Sequence, residues 1–184
     1  MNQSTLQKIS ETEYLAQEAQ SPVRHELVDG QIYAMAGASA RHNRIAGALY
    51  AKLLAAAGKD CQVFISDVKL RADDFPTYYY PDVMLVCDPS DDDALVKTRP
   101  CLLAEVLSPG TEAIDRREKL TAYRRLSSLR EYLLLSQDIP QIEIYRRRGL
   151  AEWLVETLGA DDTLRLACLP VEMTVAELYR GLLD

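Results

Sequence analysis

Two short apolar runs, each with one acidic residue inside it or directly before it, constrain the fold of this chain more than any other feature. The first covers Val83 to Cys87 and directly follows Pro81-Asp82, and the second covers Cys101 to Leu107 and contains Glu105. Apolar runs of this length between turn residues are typical of buried strands. A carboxylate in such a strand is costly unless it is paired or binds a metal. We therefore expect Asp82 and Glu105 to lie on neighbouring strands and to form one shared site.

The composition is that of an ordinary globular protein, with 184 residues, of which 48% are hydrophobic and 27% charged. This length, without repeats or low-complexity linkers, predicts a single domain over residues 1–184. The formal net charge of −7 argues against a protein that coats nucleic acid through bulk charge, although a local basic groove stays compatible with it. No apolar run approaches the length of a membrane-spanning helix and the N-terminus has no signal-peptide pattern, so we predict a cytoplasmic protein.

Two other features are assigned no part in the site. The four cysteines have no CxxC spacing and lie mostly in apolar, strand-like surroundings, which favours buried free thiols in a reducing compartment. The acidic connection from Asp88 to Asp93 lacks the glycine and the terminal glutamate of an EF-hand calcium loop, so we expect a solvated loop.

The N-terminal part predicts a helix over residues 10–19 and then a hairpin. The helix begins with a capping box that starts at Ser10. The hairpin turns at Asp29-Gly30, because both turn positions need positive φ. Glu26, in the first hairpin strand, faces either solvent or the two acids. The solvent-facing interpretation is favoured, and Glu26 is kept as a candidate accessory residue.

The next predicted elements are a helix from Ser39 or Arg41 to Ala57, a half-buried strand over Cys61 to Leu70, and a loop over residues 71–76. His42 falls in the first turn of this helix. No nucleophile is apparent for it to activate, so His42 is interpreted as a surface or capping residue.

A helix is predicted directly after the Glu105 strand, from Glu112 or Ile114 to Leu126 or Leu129. Asp115, Lys119 and Tyr123 recur in it at every fourth position and therefore share one face. Taken alone, Asp115 and Lys119 are most simply a surface ion pair. Because the helix follows the strand end at once, its first turns can also reach back over Glu105.

The chemistry of this residue set points to a hard divalent cation. Mg²⁺ accepts one or two carboxylates together with waters and phosphate oxygens, so Asp82 and Glu105 are the predicted metal ligands. A nearby ammonium, for which Lys119 is the candidate, orients water or stabilises charge that develops on phosphorus. A zinc site is disfavoured, because neither His25 nor His42 has a ligand partner at usable spacing.

The C-terminal part predicts antiparallel strands over residues 131–136, 142–146 and 151–157, and a last helix with a capping box that begins at Thr174. The basic residues concentrate here, as Arg124, Arg125, Arg130 and the run Arg146 to Arg148. They serve either solubility, which is favoured, or phosphate contact.

Four motifs together resemble a known family. They are PD at Pro81-Asp82, AEVLSPGT around Glu105, D-x-x-x-K-x-x-x-Y from Asp115 to Tyr123, and HELVDGQIYAM upstream. This ordered set resembles the Uma-two family of restriction endonucleases within the PD-(D/E)XK nuclease superfamily, over roughly Ser10 to Tyr145.

The resemblance implies a restriction endonuclease-like α/β fold, with a mixed β-sheet core flanked by helices, an N-terminal hairpin and a C-terminal antiparallel extension. It also implies an endonuclease that uses Mg²⁺, with Mn²⁺ as a substitute, and DNA as the partner. Asp82, Glu105 and Lys119 are then catalytic, and Asp115 and Tyr123 join Glu26 as accessory candidates. The superfamily pattern places a lysine where this chain has Leu107. An inactive nuclease-like scaffold that binds protein or nucleic acid is therefore the alternative, and a homodimer is the assembly considered.

Overall fold

The computed structural model describes residues 8–72, 77–149 and 151–183, so most of the loop predicted over residues 71–76 lies outside the described residues. The elements are, in chain order, α1 (Glu11–Glu18), β1 (His25–Val28), β2 (Gln31–Ala34), α2 (Ala40–Ala56), β3 (Gln62–Ile65), β4 (Lys69–Arg71), β5 (Tyr78–Tyr79), β6 (Val83–Val86), β7 (Val96–Lys97), β8 (Leu102–Val106), α3 (Glu112–Ile114), a π-helical segment (Asp115–Lys119), α4 (Leu120–Tyr123), β9 (Glu131–Leu135), β10 (Ile142–Arg147), β11 (Trp153–Leu158), β12 (Thr163–Arg165), β13 (Glu172–Thr174) and α5 (Val175–Leu178).

A six-stranded mixed sheet forms the centre of the molecule, with the strand order β11-β10-β9-β8-β6-β3. β8 and β9 run parallel, and the other neighbours run antiparallel. The predicted α/β fold with a mixed sheet is confirmed, and β9 to β11 form the predicted antiparallel extension. β6 and β8 are neighbours, so the two strands next to the acids lie side by side as predicted.

A second sheet carries the N-terminal hairpin, in the order β2-β1-β5-β4-β7. The hairpin turn has φ values of 50° at Asp29 and 78° at Gly30, as an Asp-Gly turn requires. A Cβ at Gly30 would also lie 2.9 Å from the Lys8 side chain. The predicted hairpin is therefore confirmed.

The single strand predicted over Cys61 to Leu70 is wrong. The chain leaves the central sheet after Ile65 and enters the second sheet at Lys69. Ser66 has a φ of 57°, which turns the backbone sharply at this point. Alternating apolar residues predict strand conformation on both sides of the turn and do not reveal that the two halves pair with different sheets.

Two apolar clusters cover the two faces of the central sheet. α2 packs on one face through Ile45, Leu49 and Leu53, which are fully buried, and the predicted helix is confirmed. The other face carries a cluster that includes Tyr123 and Tyr132. The candidate site lies over this tyrosine-rich face.

Helix caps are placed as the sequence predicts. Ser10 accepts from the backbone N–H of Glu13 at the start of α1, and Thr174 accepts from Glu177 at the start of α5, each with the reciprocal bond of a capping box. Over the described residues, none of the helices has the length and apolar character to cross a membrane.

The solvated loop predicted for the acidic connection is only partly correct, because Asp91 is buried. Its Oδ2 accepts from the backbone N–H groups of Thr98 at 2.9 Å and Arg99 at 2.8 Å, and its carbonyl oxygen accepts from Lys97 Nζ at 2.7 Å. Asp91 therefore closes the loop by local hydrogen bonds.

The prediction of free thiols is wrong, because the four cysteines form two disulfide bonds. Cys61 bonds to Cys87, and Cys101 bonds to Cys168. The first bridge continues the register in which Gln62 faces Val86, so it joins the residue directly before β3 to the residue directly after β6. The second ties the start of β8 to the segment after β12. Spacing along the chain does not reveal either pairing, because each depends on which strands become neighbours.

Candidate active site

Asp82 lies at the entry to β6 and is fixed from two sides. Its Oδ2 accepts a hydrogen bond of 2.7 Å from the backbone N–H of Val106 on the neighbouring strand. His42 Nε2 lies 3.0 Å from the same oxygen. Val83 faces Ala104 in the antiparallel register of β6 and β8, so Asp82 stands opposite Glu105.

Glu105 is the buried acid at the end of β8, with 3% of its surface exposed. Its Oε1 accepts a hydrogen bond of 2.8 Å from Tyr123 Oη and lies 3.2 Å from Lys119 Nζ. The Tyr123 ring packs edge-on against Tyr79 and Tyr132. These rings exclude water from one side of the carboxylate and hold its orientation.

Lys119 is the centre of the cluster. Its ammonium lies 3.2 Å from Glu105, 3.3 Å from Glu26 and 3.3 Å from Asp115, measured to carboxylate oxygens. The ammonium also lies 5.7 Å from the centre of the Tyr79 ring, within range of a cation–π contact. The surface ion pair favoured for Asp115 and Lys119 is therefore wrong, since their exposed fractions are only 1% and 6%.

The turn that carries Asp115 and Lys119 is π-helical rather than α-helical. π-helical turns inside α-helices occur frequently at functional sites. Tyr132 Oη donates to the backbone carbonyl of Asp115 at 3.2 Å, which anchors the widened turn to β9. The predicted inward reach of this helix over the Glu105 strand is confirmed.

Glu26 reaches the cluster from the second sheet, so its favoured solvent-facing interpretation is wrong. Besides Lys119, its Oε1 lies 3.4 Å from the backbone N–H of Tyr80. The sequence does not determine where the Glu26 side chain points. Either face of the hairpin strand can become buried, and the packing of the second sheet decides which one does.

His42 lies beside Asp82 in the site, so the interpretation as a surface or capping residue is wrong. Its backbone N–H donates to Ser39 Oγ at 3.0 Å, which fixes the first turn of α2 beside Asp82. A usable signal does exist in the sequence: His42 precedes the buried Ile45 by three residues and Leu49 by seven, and so shares their helical face.

Gln137 ties the start of α2 to the end of β8. Its side-chain N–H group donates to the carbonyl of Leu107 at 2.6 Å, and its Oε1 accepts from Ser39 Oγ at 2.7 Å. The Leu107 side chain packs against the tyrosine-rich cluster. The position where the superfamily pattern has a lysine is thus apolar here, and the ammonium beside Glu105 comes from the π-helical turn.

Electrostatics in the cluster are dominated by burial. Loss of hydration raises the pKa of Glu105 well above its ordinary value, and it raises the pKa of Glu26 and of Asp115 more modestly, although Lys119 opposes all three shifts. Burial lowers the pKa of Lys119, but the surrounding carboxylates outweigh it and raise that pKa well above the usual value. Lys119 is therefore a stable ammonium at neutral pH.

Among the residues that the structure describes, the carboxylates in this site outnumber the cations. Asp82, Glu105, Asp115 and Glu26 contribute four, against the Lys119 ammonium and the His42 imidazole. Asp115 Oδ1 is buried and makes no well-aligned hydrogen bond, even though the Lys119 ammonium is near. No three His, Cys, Asp or Glu side chains among the described residues are already arranged as a metal cage. The residues thus supply oxygen ligands and negative charge for a cation without a preformed cage.

A pH dependence of stability follows from the raised pKa values. The folded protein binds protons at Glu26, Glu105 and Asp115 more tightly than the unfolded chain, so metal-free stability should fall as pH rises above the ordinary carboxyl values. The pKa of His42 is also raised, because the attraction of Asp82 outweighs burial. Protonated His42 therefore also stabilises the fold, and this stabilisation is lost as pH rises through a higher range than that of the carboxyl groups.

Glu105→Gln should therefore flatten the stability profile in EDTA above about pH 5, where the carboxyl groups of the unfolded chain are ionised. Urea denaturation at several pH values measures this, with the exposed Glu112→Gln as the matched control. Identical slopes for wild type and Glu105→Gln would mean that Glu105 titrates as an ordinary acid.

Comparison with known proteins agrees with this architecture. A crystal structure from Anabaena variabilis ATCC 29413, described as "a putative nuclease belonging to DUF820", superposes with a TM-score of 0.78 at 14% identity and covers 95% of this chain and 99% of that one. At this identity the likeness shows the fold alone, which is the restriction endonuclease-like fold predicted from the sequence.

Sequence comparison identifies the family. The model of Uma2, described as "Putative restriction endonuclease", matches residues 11–177, so the chain belongs to the Uma2 family. Two relatives come from Synechocystis sp. (strain ATCC 27184 / PCC 6803 / Kazusa). Uncharacterized protein slr1290 is 38% identical and covers 95% of this chain and 93% of the relative, and uncharacterized protein sll1609 is 35% identical and covers 86% and 92%.

Proposed function

We propose that the protein is an endonuclease that hydrolyses DNA phosphodiester bonds with Mg²⁺, for which Mn²⁺ can substitute. The observation that carries the proposal is the surplus of carboxylates over cations in a site that is largely closed to water. A divalent cation would neutralise that surplus. Membership of a restriction endonuclease family supports a nucleic acid as the substrate.

Asp82 and Glu105 are the proposed metal ligands, because they stand on adjacent strands and carboxylate oxygens are preferred by Mg²⁺. When bound, Mg²⁺ would supply positive charge near the scissile phosphate and lower the pKa of a bound water. Asp82 is held in place by the Val106 N–H and by His42. His42 is therefore proposed as a positioning residue.

Lys119 is proposed to stabilise the negative charge that develops on the phosphate or to orient the attacking water. Its raised pKa keeps it protonated across the neutral range. Glu26 and Asp115 hold the ammonium from two further sides, and Tyr123 fixes the Glu105 carboxylate by a hydrogen bond. These three are accessory residues in the proposal, because they position the groups that act.

Relaxation of a supercoiled plasmid tests the proposal. Wild type is expected to cut with Mg²⁺ or Mn²⁺ and to stop in EDTA, and Asp82→Asn and Glu105→Gln are each expected to lower the rate by about 100-fold or more. Glu112→Gln, which changes an exposed acid on the following helix, should cut like wild type.

The results also separate an enzyme from a scaffold. A folded wild type that binds DNA but cuts nothing with either metal would support the inactive nuclease-like scaffold. Metal-dependent cutting that survives both substitutions would place the active site elsewhere in the chain.

The proposed location is the cytoplasm, because the proposed substrate is DNA. Disulfide bonds are rare in that compartment, and the structure has two. Blocking thiols at the moment of cell lysis, followed by mass measurement, would reveal how much of the protein carries its two bridges there. The proposed assembly is a homodimer, and light scattering at several protein concentrations tests it.

A further inference from the structure

A second polar feature lies away from the carboxylate cluster. It is a groove of about 1100 Å³ between the end of β10, the chain that follows α4, and β12. Of the described residues, seven arginines and two glutamates line it, and we refer to it as the arginine groove. Such a concentration of one charge stands out in a chain with a formal net charge of −7.

The floor of the arginine groove is held rigidly. Arg147 donates hydrogen bonds to the backbone carbonyls of Leu129, Arg124 and Leu126, at 2.7 to 2.9 Å, and its guanidinium lies 4.5 Å from the centre of the Trp153 ring. These partners fix the guanidinium in the floor of the groove. A cation fixed before binding loses less conformational freedom when an anion arrives.

Both glutamates of the groove form ion pairs with the same arginine, Arg146. Arg146 pairs with Glu131 and lies 2.8 Å from Glu156, measured from its Nε. Arg124, Arg130 and Arg148 are exposed at the rim. Burial lowers the pKa of Arg147, and repulsion from Arg124 lowers it further, as expected where cations crowd together.

The groove also has the extent to hold a chain rather than a single compact anion. It shares Arg125 and Ser127 with a neighbouring groove of about 720 Å³. Glu131, in its floor, faces Leu102 across β8 and β9, three residues before Glu105. Along the strands this offset is roughly 10 Å, at about 3.3 Å per residue, but Glu131 points to the α2 face and Glu105 to the tyrosine-rich face. The groove reaches the tyrosine-rich face through Arg147, which follows Tyr145 by two residues on β10.

We propose that the arginine groove binds the phosphodiester backbone of a nucleic-acid strand outside the carboxylate site. Guanidinium groups bind phosphate oxygens through paired hydrogen bonds and stay charged at every physiological pH. An offset of roughly 10 Å along the strands corresponds to about three nucleotide steps, and Arg147 lies on the same face of the sheet as the carboxylate cluster, so one substrate can contact both places. This inference rests on the proposed function for the identity of the ligand, since an acidic protein segment offers carboxylates to the same arginines.

Binding to a short fluorescein-labelled DNA duplex, measured by anisotropy in EDTA so that nothing is cut, tests the inference. Arg130→Gln/Arg148→Gln removes two rim charges with little effect on folding, because both side chains are exposed. The matched control, Lys59→Gln/Arg180→Gln, removes two exposed charges outside the groove. The groove variant should bind about tenfold more weakly, and its plot of log affinity against log salt should be less steep by about two.

Three outcomes would overturn the inference. Equal affinity of the groove variant and the control variant would assign the rim arginines to solubility. Displacement of the duplex by poly-glutamate as readily as by unlabelled DNA would identify an acidic protein segment as the ligand. Displacement by low concentrations of ATP would identify a free nucleotide.

Failure of this inference differs from failure of the proposed nuclease activity. If wild type cuts plasmid with metal while the groove variant binds DNA like the control, the proposed nuclease activity is supported and the groove has no role in binding. If the groove variant loses binding while no metal supports cutting, the binding role of the groove is supported and the proposed nuclease activity is contradicted.

Discussion

Lys119→Met is expected to lower the free energy of unfolding by about 3–5 kcal/mol near pH 8 without metal, because it leaves the buried Glu105 and Asp115 and the partly buried Glu26 without their shared ammonium. A surface pair at this spacing would cost only about 0.2–0.5 kcal/mol. Urea denaturation of wild type and variant measures the difference. Lys52→Met, which removes an exposed lysine of α2, should change stability by less than about 0.5 kcal/mol.

The cause of the loss is tested by two changes of condition. Acidification to about pH 5 should shrink the loss, because protonated carboxyl groups do not need a countercharge. Mg²⁺ should stabilise the variant if the carboxylates bind the metal. Comparing the stability of the variant with and without Mg²⁺ therefore tests metal binding without a cleavage assay. A loss that is the same at both pH values and insensitive to Mg²⁺ would mean that Lys119 contributes packing only.

The acids and the lysine could be predicted because their signals are local. Glu105 interrupts a run that is otherwise apolar and Asp82 stands directly before another, and a pattern of that kind has few purely structural explanations. Lys119 follows Asp115 by four residues on a helix that begins at the end of the Glu105 strand, so the sequence places it within reach. Both arguments use only neighbours along the chain.

The parts that escaped prediction depend on packing between distant segments. Glu26 joins the cluster because the second sheet lays its hairpin over Lys119, and the alternation of β1 is equally compatible with the opposite face. His42 is set by the approach of α2 to β6, and its companions on the helix, Ile45 and Leu49, indicate the face but not the partner. Even the π-helical turn at Asp115 has no signature in residue types alone.

The site therefore forms where four separate pieces meet, one of which is α2 with His42. β6 and β8 supply Asp82 and Glu105, the π-helical turn supplies Lys119, and the hairpin of the second sheet closes the cluster with Glu26. The carboxylates are held together at a cost in hydration, which their raised pKa values express. Residues kept in costly positions by the surrounding fold are typical of functional sites.

Loss of the Cys101–Cys168 bridge is expected to lower the free energy of unfolding by about 4 kcal/mol, since it closes a long loop. The two cysteines are separated by 67 residues. The bridge also keeps the backbone N–H groups of Ala167 and Cys168 on the carboxylate of Glu131, at 2.8 and 3.3 Å. Glu131 is fully buried, so release of this segment would leave it short of hydrogen bonds.

Urea denaturation of Cys101→Ser/Cys168→Ser measures this loss, and Cys61→Ser/Cys87→Ser is the matched comparison. The second pair closes a shorter separation of 26 residues and should cost somewhat less, about 3.5 kcal/mol in the same loop-entropy estimate. Dithiothreitol should destabilise wild type and leave a variant without any cysteine unchanged. Titration of four free thiols in the untreated, denatured protein would contradict both bridges and restore the sequence-based prediction of free cysteines.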